Sequence, residues 1–175
     1  MKIFETERLT IKALEEKDKG IFVELLSDPR IIDPAPHQTT NLEVIFEKFR
    51  LYLKPCAIPI KNQDSIWGVF EKGKSEMIGI TAILTNTEGD WELGYRFRVK
   101  YWSHGFGTEV ATGTAKYCFE QLNFEKNTAD VDIKNSASVK ILEKIMFPVK
   151  EFYNEEDQCI DRRDEIERKD WIQFI

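Results

Sequence analysis

The sequence contains no apolar run of the roughly 18 residues that a membrane-spanning helix requires. Its first residues also lack the apolar core of a secretory signal, so we expect a cytoplasmic protein with no membrane partner. Three cysteines and two histidines are present, and their spacing is not that of a metal site. These absences predict reduced thiols and no bound metal.

The charge balance narrows the choice of partner. The chain has 31 acidic and 25 basic residues, and its net charge at pH 7 is −6. This balance argues against a nucleic-acid partner and favours a cationic substrate. The 175 residues contain no internal repeat or linker, which predicts a single domain over residues 1–175. The sequence leaves the oligomeric state open, a homodimer included.

The periodicity of apolar residues indicates an α/β fold with a mixed sheet. Segments with the period of a strand and amphipathic helical segments follow one another along the whole chain. The expected order is a strand within 3–14, helices at 16–27 and 42–53, strands at 65–70, 77–84 and 91–99, a helix at 106–122, a strand at 128–133, a short helix that opens at Asn135 and ends at Pro148, and two strands within 149–168.

Residues 91–108 are the stretch on which the functional prediction depends. Apolar and polar residues alternate through 91–99, and Gly105 and Gly107 then precede a helix. Glycine lets main-chain amides approach a ligand, and the first amides of a helix attract anions. This order predicts a phosphate or pyrophosphate site. The third glycine of a dinucleotide fingerprint is missing, because Val110 occupies its place, and a dinucleotide is therefore disfavoured.

A second glycine motif needs an alternative explanation. The segment Gly68–Ser75 matches the phosphate-binding loop of nucleotide triphosphatases, in which a helix must begin at the Lys-Ser pair. Here the branched residues of 77–84 follow, and they are typical of a strand. We therefore interpret the match as a coincidence on a hairpin turn.

Six segments resemble, in the right order and spacing, the ribosomal-protein-alanine acetyltransferase branch of the GNAT N-acetyltransferases. The resemblance implies the GNAT fold, a mixed and mostly antiparallel sheet of six to seven strands with about four helices on both faces. The segments are Thr6–Lys12, Glu92–Phe97, Tyr101–Glu109, Asn135–Ser138, Leu142–Phe147 and Arg168–Trp171.

The resemblance also implies a reaction. Acetyl-CoA would be the donor, and the acetyl group would pass to a primary amine of a small molecule or a protein N-terminus by direct attack in a ternary complex. Main-chain groups at the end of the central strand, predicted at 91–99, would pair with the pantetheine arm. The glycine loop, residues 103–108, would hold the pyrophosphate. The implied cofactor-binding residues are Phe97, Arg98, Val99, Trp102, Ser103, His104, Gly105, Phe106, Gly107, Thr108 and Asn135.

Two residues are candidates for catalysis. Amine attack on a thioester needs a neutral amine, and Glu92 on the polar side of the central strand could accept the proton, as could an ordered water. The alternative for Glu92 is a carboxylate that only pairs with a neighbouring arginine. The resemblance implies that Ser138 lies near the sulfur, where it could donate to the thiolate or serve only as a helix cap.

Two departures from the family pattern keep a second function open. Leu142 occupies the position at which many relatives have tyrosine, and Met146 replaces the usual glycine before Phe147. The alternative is therefore a non-catalytic acyl-CoA sensor of the same fold.

His37, in the proline-rich segment 31–39, would border the acceptor site and contact the substrate or solvent.

Overall fold

The computed structural model describes residues 1–32, 41–53, 58–60 and 62–171. His37 lies outside the described residues. The strands are β1 Lys2–Glu5, β2 Leu9–Lys12, β3 Ser65–Glu71, β4 Met77–Thr85, β5 Trp91–Phe97, β6 Lys126–Asp132, β7 Phe147–Asn154 and β8 Cys159–Glu167. The α-helices are α1 Lys19–Ser27, α2 Pro29–Ile32, α3 Leu42–Tyr52, α4 Phe106–Glu120, α5 Ser136–Leu142 and α6 Arg168–Trp171.

All eight strands of the described part form one sheet, in the order β1-β2-β3-β4-β5-β6-β8-β7. Neighbouring strands are antiparallel except β5 and β6, which run parallel with α4 as their crossover. The predicted class is confirmed, although the described residues form eight strands where six to seven were expected and six α-helices where about four were expected. The amide of Thr6 donates to the carbonyl of Leu9, and this turn divides the predicted first strand into β1 and β2.

Helices cover both faces of the sheet. On the first face, α4 and α5 pack on the central strands, and the odd-numbered residues of β5 point toward them. On the second face, α1 and α3 pack against β3 and β4. Because side chains alternate along a strand, the even-numbered residues of β5 and β6, Glu92 among them, belong to the second face. No helix of the described ranges is long and apolar enough to cross a membrane.

The hairpin formed by β3 and β4 shows that Gly68–Ser75 is not the phosphate-binding loop of a nucleotide triphosphatase. Gly68 lies within β3, and Gly73 occupies the turn with a left-handed φ of 77°. A strand, β4, follows the Lys-Ser pair, and no helix begins there to present its amides to a phosphate. The match was therefore coincidental, as predicted.

The end of α5 was predicted incorrectly. The helix ends at Leu142, and Pro148 lies within β7. The amides of Ile145 and Met146 both donate to the carbonyl of Leu142, so a tight turn closes the helix without a left-handed residue. Met146 is buried against the core, which explains why this helix end tolerates a side chain in place of glycine.

Candidate active site

The site is organised by a gap between the two parallel strands. The register of β5 and β6 contains one pair, Glu92 with Thr128, near the start of both strands. The Arg98 amide donates to the Ile78 carbonyl of β4 at 3.0 Å. Successive main-chain groups of a strand point in opposite directions, so the amides of Tyr95 and Phe97 face the gap. Those amides can bind an extended ligand that adds to this edge of β5.

Part of the predicted pantetheine contact is occupied within the protein. The indole N–H of Trp102 donates to the carbonyl of Phe97 at 2.9 Å, and the Arg98 amide is used by β4. The guanidinium of Arg98 forms ion pairs with Glu24 at 3.0 Å and Glu76 at 2.6 Å. Arg98 therefore anchors the end of the strand. Of the predicted main-chain groups, two amides remain for a ligand: that of Phe97 and that of Val99, which begins the 3-10 turn Val99–Tyr101.

The glycine loop leads into the N-terminus of α4 as predicted. Gly105 is the N-cap residue of α4, with φ 78° and ψ 0°, and Ser103 is also left-handed with φ 62°. A left-handed serine is strained, and such strain is concentrated at ligand-binding turns. The amides of Phe106, Gly107 and Thr108 begin the helix and have no acceptor within it. The helix start is therefore a site for an anion.

Arg8 holds this loop in place, a role that the sequence interpretation missed. Its Nη1 donates to the carbonyl of His104 at 3.0 Å, and its Nε pairs with Glu109 at 2.6 Å. The guanidinium also lies 4.6 Å from the ring centroid of Phe106. The His104 ring bonds to the carbonyl of Trp102 through Nδ1 at 2.6 Å, so His104 is part of the loop's own framework. The sequence signal for this role was the basic residue at position 8, within the segment Thr6–Lys12 that resembles the family.

Gly107 has a packing requirement in addition to the predicted one, which was that glycine lets main-chain amides approach a ligand. A Cβ at this position would lie 2.7 Å from Cδ1 of Ile141 on α5, and 3.8 Å from the Tyr95 ring. The absent side chain therefore allows α4 and α5 to approach each other beside the gap, while the Gly107 amide remains at the helix start.

The first turn of α5 brings two hydroxyl groups to the gap. The side chain of Asn135 is the N-cap of α5 and accepts from the amide of Ser138 at 3.1 Å. Beside Ser138 lies the hydroxyl of Tyr95, which is buried and completes no hydrogen bond within the described residues. Burial raises the pKa of Tyr95 to about 12, so the phenol stays protonated. Leu142 is buried in the core, and its position supplies no hydroxyl.

Glu92 is electrostatically the most unusual residue of the site. Burial, followed by the negative charge of Asp130, raises its pKa from 4.5 to about 8. The Arg163 guanidinium, the neighbouring cation, is held by Asp130 through two hydrogen bonds of 2.7 and 2.6 Å. Glu92 forms no ion pair with any described residue, so the alternative of a carboxylate paired with arginine is not what the structure shows. A pKa near 8 suits a group that exchanges protons near neutral pH.

Comparisons with known proteins agree with this geometry. The family model described as an acetyltransferase (GNAT) domain matches residues 8–147. Protein YkkB of Bacillus subtilis, which is uncharacterized, is 31% identical over 148 residues that cover 80% of this chain and 81% of the relative. The uncharacterized N-acetyltransferase p20 of Bacillus licheniformis is 24% identical over 149 residues, covering 84% and 83%.

Solved structures share the fold along nearly the whole chain. A GNAT-family acetyltransferase from Bacillus anthracis superposes with a TM-score of 0.79 at 23% identity, covering 97% of this chain and 99% of the other. A chimera of spermidine N-acetyltransferase SpeG from Vibrio cholerae and hSSAT gives a TM-score of 0.73 at 19% identity, covering 95% and 99%.

Proposed function

The chain belongs to the GNAT acetyltransferase family, and we propose that it moves the acetyl group of acetyl-CoA to a primary amine by direct attack in a ternary complex. Membership makes the protein an acyltransferase whose donor is acetyl-CoA and whose acceptors are amines. The motifs at Glu92–Phe97 and Asn135–Ser138 support its placement in the ribosomal-protein-alanine branch, with residues 1–175 as one catalytic domain. The acceptor is then a small molecule or a protein N-terminus.

The donor would lie along the free edge of β5. Its pyrophosphate would be held by the amides of Phe106, Gly107 and Thr108 at the start of α4, where the helix end carries partial positive charge. Its pantetheine arm would follow the gap toward the Phe97 amide. When bound, acetyl-CoA supplies a thioester at the point where β5 and β6 separate.

The observation that carries the proposal is Glu92 beside this gap, which forms no ion pair with any described residue and has a raised pKa. An alkylamine with a pKa near ~10 is mostly protonated at neutral pH and cannot attack until it loses a proton. Glu92, on the second face of the sheet, would take that proton. The amide of Tyr95, which also faces the gap and is nearer to Glu92 along β5, would donate to the oxygen that becomes negative in the tetrahedral state, with an ordered water able to relay the proton to Glu92.

The leaving thiolate would be received at the start of α5. A thiol has a pKa of about 8.5, so its anion departs readily and a strong acid is unnecessary. Ser138 would donate a hydrogen bond to the sulfur, and the protonated Tyr95 hydroxyl beside it would hold the serine oxygen in place. Tyr95, on β5, would thus supply a phenol from the wall opposite the usual tyrosine position, which Leu142 occupies.

The direct test is acetyl transfer by the purified full chain. Release of CoA thiol is measured with acetyl-CoA and a panel of alkylamines, polyamines, aminoglycosides and N-terminal peptides, and the products are weighed by mass spectrometry. We expect an acetylated amine with stoichiometric thiol release. Tight binding of acetyl-CoA with no thiol release for any amine would instead support the acyl-CoA sensor.

A further inference from the structure

A buried threonine closes one end of the gap between β5 and β6. Thr128 on β6 is fully buried and is the partner of Glu92 in the one pair of the parallel register. Its hydroxyl donates to the carbonyl of Trp91 on β5 at 3.1 Å. The same oxygen accepts from the side-chain amide of Asn86, in the turn between β4 and β5, at 3.1 Å. The hydroxyl therefore ties β6 to β5 at the point where the gap begins.

The turn that carries Asn86 is held by its own hydrogen bonds. The side-chain oxygen of Asn86 accepts from the amides of Glu88 and Asp90, each at 2.9 Å. The amide of Asn86 donates to the carbonyl of Asp90 at 3.0 Å. An ion pair of 2.6 Å between Lys126 and Asp90 joins the start of β6 to the same turn. Side chains therefore join the strands on the closed side of the pair, which fixes where the gap can begin.

The closed end lies a short distance beyond the proposed reaction centre. The Tyr95 amide, which would bind the oxygen of the thioester, is three residues from Glu92 along β5. Three residues of strand span roughly 10 Å, and this length includes the radii of the atoms at both ends. Because the pantetheine arm would reach this amide from the side of Phe97, the acyl chain would continue toward Thr128. Space remains there for a few carbon atoms.

Packed side chains enclose the same end of the gap on the first face of the sheet. Leu93 of β5, Ala129 of β6 and Leu142 of α5 belong to one cluster of buried apolar residues, and each is at most 3% exposed. A close-packed core yields little to an inserted group. A longer acyl chain would have to displace this core or turn to the second face, into the space that the attacking amine needs.

We propose that Thr128 sets the length of the acyl chain that the donor can carry, by fixing the end of the gap between β5 and β6. This inference rests on the proposed function and defines its donor class as CoA thioesters of short acyl groups, such as acetyl and propionyl. Thr128 is a positioning residue, because it acts through the separation of the strands. Hexanoyl and longer groups would need the strands to part at Thr128, which would break both of its hydrogen bonds.

The first test measures binding and needs no acceptor amine. Isothermal titration of the wild-type protein compares CoA with S-ethyl-CoA and S-hexyl-CoA, two stable thioethers that represent a short and a long donor. We expect S-ethyl-CoA to bind at least as tightly as CoA. S-hexyl-CoA should bind about tenfold more weakly or worse, because its chain overfills the closed end. Equal affinity for the two thioethers would overturn the proposal.

The second test asks whether the hydroxyl of Thr128 is responsible. Thr128→Val keeps the shape of the side chain and removes both hydrogen bonds, so the preference for S-ethyl-CoA over S-hexyl-CoA should fall about threefold to tenfold. Thr128→Ser keeps the hydroxyl and should restore the wild-type preference. The matched control is Thr81→Val. Thr81 is also buried, and its hydroxyl donates to the Gly94 carbonyl of β5 at 3.1 Å, but it lies on β4, away from the gap. This control should keep the preference.

The outcomes distinguish this inference from the proposed function. An unchanged preference in Thr128→Val would overturn the inference, because a threonine with a merely structural role predicts that result, and acetyl transfer by the wild type would stand. The predicted preferences without acetyl transfer to any amine would refute the enzyme and support a short-chain acyl-CoA sensor. Should Thr128→Val fail to fold, Asn86→Asp keeps the acceptor oxygen of the turn and removes the donor to Thr128. The preference must fall in that variant as well.

Discussion

The two faces of the sheet differ in the side chains that the same strands present: apolar packing residues on the first face and buried acids on the second. On the first face, β5 and β6 present aliphatic and aromatic residues to α4 and α5, and a Cβ at Gly107 would lie 2.7 Å from Cδ1 of Ile141, which would have to move. On the second face, the same strands carry Glu92, Asp130 and Asp132, which are acids at partly or wholly buried positions. The first face provides stability and a rigid wall for the donor. The second face places acids at positions that cost stability, which is common at active sites and agrees with the acid–base role proposed for Glu92.

The largest effect should come from replacing the base on the second face. In Glu92→Gln we expect kcat to fall about 100-fold or more, since general-base catalysis typically contributes that much. The wild-type rate should rise with pH through an apparent pKa near 8, and the variant should lose this limb. A pH–rate profile of both proteins is the measurement. If the variant keeps the same limb, Glu92 is not the base.

The same substitution should stabilise the fold. Because the pKa of Glu92 is raised from 4.5 to about 8, the native state binds this proton more tightly than the unfolded chain. Stability is therefore lost as the pH rises between these values. The glutamine variant lacks this loss, so its Tm should exceed that of the wild type by a margin that grows from pH 5 to pH 9. A lower Tm at pH 9 would contradict the electrostatic account.

On the first face, the contact between α4 and α5 predicts an effect on stability before any effect on binding. Gly107→Val should destabilise the protein by about 1–3 kcal/mol, because the new side chain meets Ile141 at the half-buried contact between α4 and α5. Urea denaturation measures this change. Shortening the neighbour in Gly107→Val/Ile141→Ala should restore part of the loss. If the double variant is no more stable than the single one, the packing explanation is wrong.

Arg8 anchors the loop that precedes α4, where we propose that the donor's pyrophosphate binds. Arg8→Ala removes the bonds to the His104 carbonyl and to Glu109, so the affinity for CoA should fall about tenfold as the loop loosens. Isothermal titration with CoA provides the measurement. Arg30→Ala, which removes an arginine from an exposed ion pair with Asp28, is the control and should bind CoA normally.

The smallest effect should come from the Tyr95 hydroxyl. In Tyr95→Phe we expect kcat to fall about threefold to tenfold with an unchanged KM for acetyl-CoA. The variant lacks the hydrogen bond from Tyr95 to Ser138, which in our proposal contributes during catalysis and not to the binding of acetyl-CoA. Stability should be retained, since a buried hydroxyl without a partner is removed. Tyr153→Phe, at an exposed position on β7, should leave kcat unchanged. A parallel change in KM would indicate a merely structural role.

Local patterns in the sequence predicted most of the framework. The alternation through β5, the glycines before α4 and the N-cap residue Asn135 each act within a few residues, so they can be recognised without the fold. The sequence patterns did not reveal contacts between side chains and the loop. Trp102 bonds back to the Phe97 carbonyl, and Arg8 reaches the loop from the turn between β1 and β2, which no local period indicates.

The sequence by itself determined most of the order of strands and helices and the glycine turn that begins α4, because backbone preferences and glycine chemistry are local. Only the tertiary structure decided that Glu92 has a pKa near 8, that Gly107 faces Ile141 and that Asp132 lies opposite Asp161. Each of these depends on tertiary packing. Strand register brings together residues that are far apart in the chain, and burial removes the water that would otherwise screen their charges.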